Sequence, residues 1–155
     1  MADSAYTAGL TLLARRELSE AQLRQRLSRR GHDPEEIDHA VARLKQNGSL
    51  DDARVAGAIA RSQLTLKRRG QLRVRREIEA AGIAPALAER AVAEAFEDVD
   101  VEALLSDAIE RRLGSRSLST DRDVARVYRY LVAQGFDRAR SLAALRARRR
   151  GPAGH

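Results

Sequence analysis

The chain has 155 residues, 43% hydrophobic and 33% charged, with no cysteine, so a disulfide framework and a thiolate zinc site are excluded and a folded globular chain is favoured over a disordered one. Its 29 basic residues outnumber 22 acidic ones, a net charge of +7, and 27 of the cations are arginine, which points to an anionic partner. Five aromatic residues against 28 Ala and 19 Leu argue against a β-sandwich or a base-stacking sheet and in favour of helix. No run approaches the ~18 apolar residues of a membrane span, and Met1-Ala2-Asp3 leads into no basic n-region with an apolar stretch behind it, so the cytoplasm is the expected compartment.

Apolar residues recur at helical spacing along the chain and no window alternates β-branched with polar residues, so the chain reads as all-α. Ser19-Glu20-Ala21-Gln22 is a capping box, and Asp33-Pro34-Glu35-Glu36 supplies an N-cap, a first-turn proline and an acid in the third position. Asn47-Gly48-Ser49 matches a glycosylation sequon but reads as a turn, and Asp51-Asp52 after it reads as a cap rather than a carboxylate pair for acid–base work. Ala84-Pro85 starts a further helix, and Ser119 to Asp123 holds several caps and acids suited to a helix N-terminus. Gly31, Gly48, Gly70, Gly82, Gly114 and Gly135 fall near the ends of periodic stretches, where a left-handed residue stops a helix. About nine helices of roughly 10 to 17 residues result, joined by short turns.

Three of those glycines reveal an internal repeat. Gly31, Gly82 and Gly135 are 51 and 53 residues apart. Apolar residues stand eight before each (Leu23, Val74, Val127), four before (Leu27, Ile78, Leu131) and ten after (Val41, Val92, Leu145). The first two sets lie one turn apart and form a buried stripe on the middle helix of each repeat. Three tandem three-helix repeats are expected, at 5–50, 51–98 and 99–150, with a disordered tail at 151–155. Small cores of Leu, Ile, Val and Ala must bury surface against their neighbours, which favours an elongated, curved array, although a single compact bundle satisfies the same stripes.

The positive charge is uneven. The three repeats carry net +1, +1 and +5, counting 151–155 with the last, but two stretches hold cations and no acid: Arg61 to Arg76, with seven, and Arg138 to Arg150, with six. Arg73 and Arg76 stand nine and six before Gly82, and Arg126 and Arg129 nine and six before Gly135, each pair on one face away from the buried stripe. Gln22 and Gln25 occupy those places in the first repeat. Guanidinium forks on such a face could hold phosphates or carboxylates bidentately, whereas a plain solvated face explains scattered arginines but accounts poorly for acid-free blocks. Arg148-Arg149-Arg150 reads equally as a solubilising, frayed end.

Other chemistry is weak. No Gly-rich loop with Lys-Ser or Lys-Thr is present to cradle a nucleotide. His32 and His39, with Glu36 or Asp38, lack a strong third ligand and read as a surface pair. Tyr128 and Tyr130 could stack bases, but lie two apart, so at most one shares the face of Arg126 and Arg129. No catalytic residue, metal or cofactor is expected.

The stretches Leu12-Leu13-Ala14-Arg15-Arg16-Glu17-Leu18-Ser19-Glu20, Leu23-Arg24, Leu27 and Gly48-Ser49-Leu50-Asp51-Asp52 with Arg54 and Ala56, then Gly70, Arg73-Val74, Glu77-Ile78, Gly82-Ile83, Tyr130-Leu131 and Gly135-Phe136, resemble the RecX family of bacterial regulators of the RecA recombinase. The resemblance spans about residues 8 to 147. It departs at Leu18, where the family often has a basic residue, and at Val55, where an aromatic is usual. It implies three tandem three-helix repeats and a protein that is not an enzyme. It further implies a protein that binds RecA, lodges in the groove of its nucleoprotein filament and inhibits ATP hydrolysis, strand exchange and repressor self-cleavage. On this reading Arg73, Arg76, Arg126 and Arg129 are the central contacts, assisted by Arg24, Arg61, Lys67, Arg68 and Arg69, and a monomer is expected. A helical protein acting mainly on DNA through its basic face, and a scaffold for another acidic protein, are the alternatives.

Overall fold

The computed structural model describes residues 4–151, and these form nine α-helices and no strand. They are α1 (Ala5–Arg15), α2 (Glu20–Arg29), α3 (Pro34–Gln46), α4 (Asp52–Thr65), α5 (Gln71–Ala80), α6 (Pro85–Ala95), α7 (Val101–Leu113), α8 (Asp121–Ala133) and α9 (Arg138–Arg150). The expected caps are in place. Ser19 and Gln22 close a reciprocal capping box at α2, Asp33 accepts from the Glu36 N–H at α3, and Thr120 with Asp123 forms a second box at α8. Asp51 caps α4 through the N–H groups of Ala53 (3.0 Å) and Arg54 (3.2 Å). These four caps come from chemistry within one turn, which is why they could be read from sequence.

The described chain folds as two compact units, one of residues up to Ile59 with Glu77–Ala91, the other of Ala60–Arg76 with the residues from Val92 on. In the first, α1, α2 and α3 enclose Ala8, Leu12, Leu23, Leu27, Val41, Leu44 and Leu50. Leu18 and Val55, the two departures from the family pattern, are both buried, so neither is available to a partner. Two helix N-termini are closed from a distance: Glu36 accepts from the Ala5 N–H at 2.8 Å, and Asp52 from the Glu20 N–H at 2.8 Å. In the second unit, α7, α8 and α9 enclose Leu104, Leu105, Ile109, Val127, Leu131, Phe136 and Leu145. The stripes hold as expected except at Val92, which is half-buried.

Each unit contains the same junction, made with different groups. In the first, the Ser19 hydroxyl donates to the carbonyl of Ala81, the residue before Gly82. Shifted by the repeat intervals, those positions become Gly70 and Gln134, and in the second unit the Gly70 N–H donates to the Gln134 carbonyl at 2.9 Å. The start of one middle helix thus seats on the glycine turn that ends the next.

This junction changes the reading of Gly70. Gly31, Gly48, Gly82, Gly114 and Gly135 all adopt positive φ, as helix stops do, but Gly70 does not. It precedes α5, and a Cβ there would lie 2.6 Å from the Gly135 carbonyl carbon, so close backbone approach is what demands glycine. The left-handed residue after α4 is instead Arg68, at φ 53°.

The charged end of α9 also differs from expectation. Helix continues through Arg150, and Arg148 bonds the Ser106 hydroxyl (2.7 Å) and Glu110 (3.2 Å) while Arg149 pairs with Asp121, so both arginines fasten the unit rather than fray. Of the tail expected at 151–155, residues 152–155 lie outside the described residues.

One buried polar atom stands out in α9. The Ser141 hydroxyl is fully buried and has no hydrogen-bond partner among the described residues, whereas the aligned positions in the other repeats are Ile37 and Ala88. Replacing Ser141 with Ala should therefore stabilise the protein by about 1 kcal/mol, raising the melting temperature by roughly 2–4 °C. A lowered melting temperature would instead reveal a water bridging that hydroxyl.

Candidate functional site

The nine predicted cations divide by unit: Arg24 lies in the first, and Arg61, Lys67, Arg68, Arg69, Arg73, Arg76, Arg126 and Arg129 in the second. Arg24 is already matched. Its guanidinium holds Asp38 of α3 at 2.7 Å and Glu20 at 3.1 Å, and the Asp38 hydrogen bond, reinforced by Glu20, raises its pKa. Glu20 is in turn held below the ordinary carboxylate range, chiefly by its bond to Lys45 (3.0 Å) and then by Arg24, against a desolvation cost. Arg24 ties α2 to α3 through these two ion pairs.

In the second unit the cations fall into two groups. Arg68 pairs with Asp107 of α7 at 3.2 Å, Arg126 with Asp123 at 2.7 Å, and Arg69 bonds the Gln63 side chain at 2.8 Å. Asp123 lies below its ordinary pKa, first because it accepts the Thr120 backbone N–H and only later because of Arg126. Arg73 donates from Nη1 to the Ala133 carbonyl at 2.9 Å, the orphan end of α8. Arg69, Arg73 and Arg75 all have further partners, as do Glu77 and Glu79. By contrast Arg61, Lys67, Arg76 and Arg129 are exposed and form no ion pair among the described residues.

The bond from Arg73 to Ala133 brings the two predicted pairs together. Ala133 is exposed, one turn beyond Arg129 on the same face of α8, and Arg126 lies a further turn back. Arg73 therefore continues that line, and Arg76 extends it along α5, giving the order Arg126, Arg129, Arg73, Arg76 within one unit. What sequence reasoning missed is the acid: the block from Arg61 to Arg76 carries none of its own, yet folding sets Asp107 beside it. Tyr130 lies under the Arg112 guanidinium, 5.1 Å from ring centroid, so this face of it is covered. His32 faces Glu36 at 3.4 Å, and no cluster of three His, Asp or Glu suited to a metal occurs among the described residues. No helix among them is long and apolar enough to cross a membrane.

Paired capped helices in tandem three-helix domains, with a line of arginines on α8 and α5, define a helical-repeat protein of the three-helix-domain class. The RecX first three-helix domain matches residues 5–44 and the RecX second three-helix domain residues 51–92. The chain is 34% identical over 134 residues to the regulatory protein RecX of Syntrophotalea carbinolica, covering 85% of this chain and 88% of that one. It is also 34% identical over 153 residues to that of Halorhodospira halophila, covering 95% and 92%. The fold superposes on a crystal structure of RecX from Lactobacillus salivarius with a TM-score of 0.76 at 17% identity, covering 92% and 94% of the two chains. The chain belongs to the RecX family of regulatory proteins.

Proposed function

We propose that this chain binds the RecA recombinase and its nucleoprotein filament, lodges in the filament groove as three three-helix repeats (5–50, 51–98 and 99–150), and inhibits ATP hydrolysis, strand exchange and co-protease activity. Family membership supports the partner, and the observation that carries the surface is the line Arg126, Arg129, Arg73 and Arg76, with Arg61 and Lys67 uncompensated in the same unit. Such a face meets both acidic protein and DNA phosphate in a groove. The chain acts on this reading without chemistry of its own, in the cytoplasm where RecA works, by holding adjacent protomers so that growth or the ATPase cycle stalls.

The test is RecA ATPase on single-stranded DNA with increasing amounts of the protein, together with pull-down of RecA in the absence of DNA. Falling ATPase and DNA-independent association are expected. Unchanged ATPase, no association with RecA, and steeply salt-dependent binding to bare DNA would replace this reading with that of a DNA-binding protein acting through its basic face.

A further inference from the structure

Among the described residues three large hydrophobic side chains are markedly exposed, and two of them flank one turn: Leu66 is 77% exposed and Leu72 52%. Isolated exposed leucines are ordinary. These two differ in their setting. The backbone between them is fastened at both ends, with the Leu66 N–H on the Ser62 carbonyl (2.9 Å), the Arg69 N–H on the Gln63 carbonyl (3.1 Å), and the Gly70 and Leu72 N–H groups on the carbonyls of Gln134 (2.9 Å) and Gly135 (3.1 Å). Arg68 is held in a left-handed conformation, φ 53°, costly for a side chain with a Cβ, and is pinned to Asp107. A turn this constrained presents its leucines with little backbone ordering left to do on binding.

The surroundings select the occupant. Leu66 and Leu72 bracket Lys67, Arg68 and Arg69, with Arg61 one helical turn and a residue before Leu66, and no acid intervenes from Arg61 to Arg76. Leu72 also walls an open cleft of about 500 Å³ together with Val101, Phe136, Asp137 and Arg140. Phosphates and sugars would satisfy Arg61 and Lys67 but offer no apolar cover for a leucine, whereas a protein surface with an apolar socket rimmed by carboxylates satisfies both.

We propose that the turn between α4 and α5 is a protein-docking anchor, in which Leu66 and Leu72 enter an apolar, carboxylate-rimmed socket on a RecA protomer while Arg61 and Lys67 meet its rim. This rests on the RecA-binding reading above. Its separate content is that apolar contacts to protein, beside charge contacts, hold the complex.

The experiment compares wild type with the double variant Leu66→Ala, Leu72→Ala in fluorescence anisotropy against RecA alone, RecA on single-stranded DNA, and single-stranded DNA alone. Leu66 is largely exposed and Leu72 about half so, and the variant is expected to melt within a few degrees of wild type. Binding to RecA, with and without DNA, is expected to weaken about tenfold or more, while binding to bare DNA and its salt dependence stay unchanged. Wild-type affinity of the variant for RecA overturns the anchor while leaving the RecA reading intact. An equal loss on bare DNA also overturns it, making the leucines wedges between bases. Failure of the wild type itself to bind RecA overturns the reading and the anchor together.

Discussion

Replacing Gly135 with alanine is expected to destabilise the protein by about 3–5 kcal/mol, the largest single-residue effect on stability argued for this chain. Gly135 adopts φ 98°, which costs an L-residue about 1–2 kcal/mol. An added Cβ would lie 2.3 Å from both the backbone nitrogen and the Cβ of Arg73, and 2.8 Å from its Cα. Backbone cannot swing aside as a side-chain tip can, so the start of α5 must move. That movement breaks the Gly70 and Leu72 N–H bonds to Gln134 and Gly135, each contributing about 1 kcal/mol. Gly31 is the control. It stands at the aligned position of the first repeat with φ 90° but meets nothing within 4 Å, so Gly31→Ala should cost only the conformational share. Thermal and urea unfolding of the two variants measure the difference; equal melting temperatures would show that the second-unit junction is not a close backbone contact.

The same junction shows what the sequence reveals and what it conceals. Capping boxes at Ser19 and Thr120 involve residues three apart and follow from chemistry within one turn. The buried stripes follow from periodicity, and Leu23, Leu27, Val74, Ile78, Val127 and Leu131 are all buried. The second bond of Ser19, to Ala81, joins residues 62 apart, and no local pattern announces it. Asp52 likewise reads as a member of the α4 cap, but its carboxylate closes α2 instead. Gly70 resembles the helix-stopping glycines in sequence, yet its reason is a neighbour 65 residues away. Charge behaves in the same way. Arg24 shares a helix face with Glu20 in the sequence, but only folding adds Asp38 to it while leaving Arg76 without an ion pair among the described residues. Spacing along a helix tells which cations share a face, but not which carboxylates another helix brings to it.

That distinction decides which substitutions test the surface. Reversing Arg73 would disturb the end of α8 through its bond to Ala133, and any lost inhibition would then be ambiguous. Arg61, Lys67, Arg76 and Arg129 are exposed and free of ion pairs among the described residues, so changing all four to Glu removes charge from the face with little expected loss of stability. An exposed ion pair contributes up to about 1 kcal/mol, and reversal turns each attraction into a repulsion of similar size. Four reversals should thus weaken filament binding by about 3–6 kcal/mol, on the order of a hundredfold or more, and abolish ATPase inhibition at concentrations where the wild type is effective. Arg24→Gln should leave inhibition near wild type, since that guanidinium is spent on its own unit. Salt titration adds the identity of the anion. If the four cations meet single-stranded DNA phosphates, removing each lowers the slope of log affinity against log salt by about 0.7; if they meet carboxylates of RecA, the variant keeps its slope on bare DNA and loses affinity for RecA alone. Undiminished inhibition by the fourfold variant would exclude this face from the mechanism.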